Sequence, residues 1–154
     1  MGTVRVTSER TVAAPPATVY ECIANMREHH HRFLPPAFGD FAVEAGGVGA
    51  GTVVRFSVTA GGRTREYEMH VSEPEPGRVL VETDARSSLV TSFTVDARGD
   101  GSHVRVETRW QGAGGIGGFF ERTFAPKAMR AIYADELERL DAYARARAGT
   151  SPER

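Results

Sequence analysis

With one cysteine, Cys22, the chain cannot close an internal disulfide, and it reads as a protein of a reducing, cytoplasmic setting. Long apolar runs are also missing: none approaches the ~18 residues that cross a bilayer. The opening MGTVRVTSER lacks the apolar core of a secretory signal. Neither sign of charge is in excess, since 19 Lys and Arg face 20 Asp and Glu. A dedicated nucleic-acid binder carries a clear basic surplus, so no nucleic-acid partner and no membrane span are expected. Internal repeats and low-complexity linkers are absent too. What remains, 154 residues with 40% apolar and 25% charged side chains, is enough to bury one core. Residues 1–147 are expected to form a single domain and 148–154 a frayed tail.

Glycine is abundant, at 17 residues, and it punctuates. Turn signals fall at 44–51 (EAGGVGAG), 59–64, 72–78, 83–88 and 96–102 (DARGDGS). Between them stand short runs rich in Val, Thr and Phe: GTVVRFSV, REYEMHV, RVLVE, SLVTSFTV and HVRVETRW. FGDFAVEA precedes these and VRVTSERTV opens the chain, so about seven strands in a meander of hairpins are predicted. PPATVYECIANMREHHHRFL has apolar residues at helical spacing after two prolines and reads as two short helices broken near Asn25. Residues 118–146 read as one long helix, in which Pro126 should mark a kink or break. Tyr133, Leu137, Leu140 and Ala144 form its apolar stripe, Glu136, Glu138, Arg139 and Asp141 its polar side. Ala128, Ala131 and Ala134 are expected to face the sheet. The fold class is therefore α+β, a curved antiparallel sheet gripping a long C-terminal helix.

Alternation assigns strand faces. Val54, Phe56 and Val58 oppose Val53, Arg55 and Ser57; Tyr67, Met69 and Val71 oppose Glu66, Glu68 and His70. Leu89, Thr91, Phe93 and Val95 share a face, as do Val104, Val106, Thr108 and Trp110. The inner face so assembled is apolar and aromatic, touched only by the hydroxyls of Tyr67, Thr91 and Thr108. No Asp, Glu, Lys or His alternates into it, so the strands offer acid–base chemistry only a tyrosine.

Two motifs invite a cofactor and neither sustains it. In REHHHRF three consecutive histidines point three ways around a helix and cannot converge on one metal ion. His29 or His31 is expected to meet solvent, while His30 turns toward a cavity rim, where it would titrate near neutrality. GAGGIG, residues 112–117, matches a dinucleotide fingerprint in letters only, since no second parallel strand follows to complete that site. It reads as a link whose glycines free the backbone, with a gate to the cavity as its functional version. No metal and no cofactor are expected. Cys22, without an activating neighbour, reads as a buried packing thiol.

Ala14, Pro15, Val19, Tyr20, Ile23 and Asn25 fit the pattern A-P-x-x-V-Y/W-x-x-I/L-x-N/D. With Gly49, Gly51, Thr52, Val54 and Phe56 and the closing RTFAPKAMRAIYADELERLDAYA, they make the chain resemble the START-like, or Bet v 1-like (SRPBCC), superfamily. Within it the chain is most similar to bacterial polyketide cyclase/dehydrase-type proteins. The resemblance implies a helix-grip fold with a cavity between sheet and C-terminal helix, occupied by a hydrophobic small molecule: a lipid, an aromatic or a polyketide. Its lining is expected from the strands (Val54, Phe56, Tyr67, Met69, Leu89, Thr91, Phe93, Thr108 and Trp110). The helical segments are expected to add Met26, Phe33, Phe120, Phe124 and Met129. An aromatase or cyclase is the alternative, with Tyr67 and His30 as the candidate proton shuttles. A protein-interaction or stress-regulatory module with a vestigial pocket is a third reading.

Overall fold

A computed structural model describes residues 3–111 and 126–149. Its strands are β1 (Thr3–Val12), β2 (Phe38–Ala45), β3 (Val53–Ala60), β4 (Arg63–Glu75), β5 (Val79–Asp84), β6 (Val90–Arg98) and β7 (Gly101–Gln111). They form one antiparallel sheet in the order β1-β7-β6-β5-β4-β3-β2. The first two strands in sequence are thus its two edges. The chain passes from one to the other through α1 (Pro16–Ala24) and a single 3-10 turn (His30–Phe33). The second short helix expected from the sequence is only this turn. Pro15 and Pro16 open α1 without a side-chain cap, since proline has no N–H that needs one. At Asn25 the backbone turns extended, and its side-chain oxygen accepts from the Glu28 N–H at 2.9 Å.

Register shifts bend the sheet. They fall between Gly39 and Ala42 and between Val43 and Ala45 on β2, and between Ser72 and Glu75 on β4. Asp40, at φ 52°, is the non-glycine residue that takes a left-handed conformation in the β2 bulge. The concave face so formed holds α2 (Pro126–Gly149), whose 24 residues run ~36 Å at 1.5 Å each. The described helix begins at Pro126, and residues 118–125 of the predicted helix lie outside the described residues.

The helix buries Met129, Tyr133, Glu136, Leu137, Leu140, Asp141 and Ala144. Two of these correct the expected polar side, Glu136 and Asp141. Ala131 and Ala134 are exposed and Ala128 only half-buried, so the small residues do not face the sheet; the stripe of large side chains does. Asp141 has a structural reason to be inside. Its carboxylate accepts from the Ala13 backbone N–H at 3.1 Å and from Arg10 Nε at 3.0 Å, tying α2 to the end of β1. Asp141→Ala is expected to lower the free energy of unfolding by about 2 kcal/mol, the scale of charge-assisted hydrogen bonds, as read by urea titration.

The inward sets on β3, β4, β6 and β7 are buried or half-buried, though Ser57, assigned to the opposite face of β3, is buried too. On β5 it places Leu80, Glu82 and Asp84 inward, all buried. The expectation that no acidic residue reaches the inner face is corrected here.

Candidate functional site

Between α2 and strands β2 to β6 lies a cavity. Its apolar wall comes from Phe38 and Phe41 of β2, Phe56 and Val58 of β3, and Met69 of β4. Leu89, ahead of β6, and Phe93 on it complete the sheet side, while Met129 and Ile132 close it from the helix. The aromatic rings form a continuous belt: Phe56 lies 5.5 Å from Phe38, 6.3 Å from Phe41 and 5.7 Å from Tyr67, centroid to centroid. Leu34, Phe38, Phe41 and Ile132 are only half-buried and make the mouth. The free space is about 540 Å³ with the open mouth included, yet the centre of a water molecule can move through only about 30 Å³ of it. In this conformation the cavity is contracted to room for a few waters.

Polar groups enter this apolar space from several elements: His30 of the 3-10 turn, Tyr67 of β4, Glu82 of β5 and Thr91 of β6, with Tyr133 and Glu136 from α2. Thr108 on β7 stands behind them. Its hydroxyl donates to the Tyr133 oxygen at 2.6 Å and lies 2.7 Å from Thr91 Oγ1. A threonine has one hydroxyl proton. With that of Thr108 used on Tyr133, Thr91 must be the donor to Thr108, and the Tyr133 proton is left to point onward. His30 Nδ1 lies 2.7 Å from the Ile23 carbonyl oxygen, which can only accept, so Nδ1 carries the proton. Nε2 of the neutral ring is then an acceptor, and it faces Glu136 Oε2 at 3.7 Å.

Burial sets the protonation of this cluster. It pushes the Glu82 carboxyl up to about 7. Glu136 is raised well above the carboxylate range by burial first, and further by the charges of Glu82 and Asp135. His30 is pushed down to about 4 by burial, against the pull of the Ile23 carbonyl. Burial also raises both phenols. Thr108 and Thr91 temper the shift of Tyr133, as Arg65 tempers that of Tyr67. Burial therefore favours the protonated acid at Glu136, leaves Glu82 titrating near neutrality and keeps His30 a neutral imidazole. Among the described residues the Glu82 carboxyl has neither a hydrogen bond nor an ion pair, and the Tyr67 hydroxyl makes no hydrogen bond of ordinary geometry.

The structure brings together Phe56, Tyr67, Met69, Leu89, Thr91, Phe93, Met129 and His30 of the residues expected at the site. Met26, Phe33, Val54, Thr108 and Trp110 are buried but pack elsewhere in the core. Phe120 and Phe124, together with the 112–117 gate, lie outside the described residues. His30 sits inside rather than at the rim, and His29 is buried against Tyr143, its Nδ1 2.8 Å from the hydroxyl, while His31 is exposed. Cys22 is fully buried, and burial pushes its thiol up to about 11, an inert packing thiol. The reading from sequence missed Glu82, Glu136 and Tyr133 as site residues. A usable signal existed for two of them: positions 129, 133 and 136 follow the i, i+4, i+7 spacing of one helix face.

A helix gripped by a seven-stranded sheet, with a cavity between them, defines a helix-grip protein. The chain belongs to the polyketide cyclase/dehydrase and lipid transport family, whose sequence profile matches residues 3–145. The solution structure of the KanY protein is 36% identical, with 94% of this chain and 99% of that one covered and a TM-score of 0.84. The protein TTHA0849 from Thermus thermophilus is 19% identical over 93% of this chain and 98% of that one, TM-score 0.74. A norcoclaurine synthase point mutant from Thalictrum, solved with a transition-state analogue, is 16% identical over 95% and 96%, TM-score 0.72. The last two share the fold alone. No curated protein matches the chain. Among the described residues no helix is long and apolar enough to cross a membrane.

Proposed function

We propose that this chain binds a hydrophobic, ring-bearing small molecule in the cavity between sheet and helix. The observation that carries the reading is the wall of Phe38, Phe41, Phe56 and Phe93 around the buried Glu82 carboxyl and Tyr67 hydroxyl, neither with a hydrogen bond of ordinary geometry among the described residues. Rings stack on such walls, and each ~100 Å² of apolar ligand surface removed from water contributes about 2.5 kcal/mol. Entry requires the mouth to open. The half-buried Phe41 stands at this mouth on an edge strand already bent by bulges, where a swing of its ring would widen the entrance. Native mass spectrometry of protein prepared without detergent is expected to show a discrete added mass that vanishes on unfolding and refolding. Adding aryl compounds to the refolded protein is expected to raise its melting temperature. No adduct, and no shift with neutral, cationic or anionic aryl compounds, would overturn the reading.

The carboxyl pair favours a second reading, acid–base catalysis on the bound molecule. Cyclisation of a poly-ketone by aldol condensation and dehydration needs a base at the carbon beside a carbonyl and an acid for the departing hydroxyl. Glu82, half-ionised near neutrality, is suited to the first role, and Glu136, which keeps its proton, to the second. Folding the chain against the aromatic belt would supply the proximity term. Tyr67 and His30, the candidates from sequence, line the same cavity as this pair, with His30 Nε2 facing Glu136 at 3.7 Å. Glu82→Gln is expected to cut turnover of a poly-ketone at least about 100-fold while leaving its binding intact.

A further inference from the structure

The cavity has an unusual charge inventory. Among the described residues, none of those lining it is Lys or Arg. Its ionisable side chains among the described residues are His30 from the 3-10 turn, Tyr67 from β4, Glu82 from β5, and Tyr133 and Glu136 from α2. Asp135 on the same helix adds negative potential at Glu136, and the Arg65 guanidinium acts at Tyr67. His30 uses Nδ1 as a donor to the Ile23 carbonyl and presents only an acceptor to the cavity. Among the described residues that line the cavity, none carries a positive charge to balance an anionic ligand, and the Arg65 guanidinium reaches it at Tyr67. A carboxylate or phosphate would enter an apolar chamber facing two carboxyls, and a buried charge without a partner is costly.

We propose that the occupant is a cation: an aryl or alicyclic amine whose ammonium sits between Glu82 and Glu136 while its ring lies on Phe41, Phe56 and Phe93. The match is one of donors and acceptors as well as of charge. An ammonium offers three N–H donors and no acceptor. Glu82, 6% exposed and without a hydrogen bond among the described residues, supplies one acceptor, and Glu136 a second. The Tyr67 hydroxyl oxygen, buried without a donor of ordinary geometry, supplies a third. The aromatic faces add attraction for the same charge, because the ring quadrupole is negative above its plane. Burial favours the protonated form of both acids. An arriving ammonium makes their ionised forms favourable, so binding must expel protons to solvent.

The inference rests on the cavity being a binding site, and the test separates the two claims. Three probes share one ring system: 2-naphthylmethylamine, 2-naphthylmethanol and 2-naphthoate. Isothermal titration at pH ~7.5 is expected to give the amine an affinity at least about ten-fold above the alcohol, with naphthoate weakest. Titration in buffers of different ionisation enthalpy is expected to show proton release for the amine alone. In the Glu82→Gln, Glu136→Gln double variant, its folding checked by melting, the amine should fall to the level of the alcohol, the alcohol itself unchanged. Equal binding of amine and alcohol, tightest binding of naphthoate, or an amine preference that survives in the double variant would overturn the cation site and leave the cavity reading standing. Binding of none of the three would overturn both.

Discussion

Between pH ~4.5 and ~7 the Glu82→Gln, Glu136→Gln variant is expected to gain about 3 kcal/mol on the wild-type chain from Glu82 alone. The carboxyl of Glu82 moves from an ordinary 4.5 in the unfolded chain to about 7 in the fold. Over that window the folded protein holds a proton that the unfolded one has released. Stability therefore falls as pH rises, reaching its full deficit once Glu82 ionises inside the cavity. Below pH ~4.5 both states are protonated and the deficit is gone. Glu136, raised in the same direction, adds to the effect. Glutamine has nearly the same shape and no charge to bury, so it escapes this cost altogether.

His30 works the other way. Its imidazole moves from 6.5 down to about 4 in the fold, so the unfolded chain binds the extra proton and acidification costs stability across that span, again about 3 kcal/mol. In the wild-type chain the histidine and the acids oppose each other between pH ~4.5 and ~6.5, which flattens the profile. The double variant leaves His30 alone and should lose stability steeply on acidification. The measurement is a set of urea midpoints for both proteins at five or six pH values, read as a difference so that the shared surface carboxylates drop out. A difference that does not change with pH would mean that water reaches both acids freely, and that they line no closed cavity.

Two side chains show where sequence reading stops. The strand faces were legible because charged and apolar residues alternate on β3, β4 and β7, as in Tyr67 and Met69 against Glu66 and His70. On β5 they do not: Val79, Leu80 and Val81 are all apolar, so hydropathy has no preferred face, and the site of Glu82 is decided by pairing with β4 and β6. Glu136 fails for a related reason. It stands beside Leu137 on the boundary of the apolar stripe, and an amphipathic pattern assigns every glutamate to solvent by default. The rule errs where a carboxyl is kept inside for chemistry or recognition. Asp141 errs by the same rule for a structural cause, the Ala13 N–H and Arg10 it holds. His30 was read at the cavity rim and lies buried inside it; its depth, and with it the direction of its pKa shift, depended on α2 closing over it.

The second large effect is expected at the corner where β1 ends and the chain turns into α1. A Cβ on Gly101 would stand 2.5 Å from the Val12 carbonyl oxygen and 3.5 Å from Ala13 Cα, backbone atoms that cannot rotate away. The neighbouring Ser102 hydroxyl donates to the Ala14 carbonyl at 2.7 Å, so both sides of the corner are pinned. Gly101→Ala should therefore cost about 3 kcal/mol, by forcing β1 and β7 apart where Val12 pairs with Ser102. Gly99, two residues earlier in the same hairpin, is the control. It sits at φ 57° with open space around its Cβ position, so alanine there costs only the left-handed backbone, about 1 kcal/mol. Moving Val12 also moves Ala13, whose N–H is held by Asp141 of α2. Part of the Gly101→Ala loss should thus disappear on an Asp141→Ala background, where that tie is already cut. Strict additivity in the urea-unfolding cycle would place the strain in the hairpin alone. A shortfall of about 1 kcal/mol would show that this corner also holds the helix over the cavity.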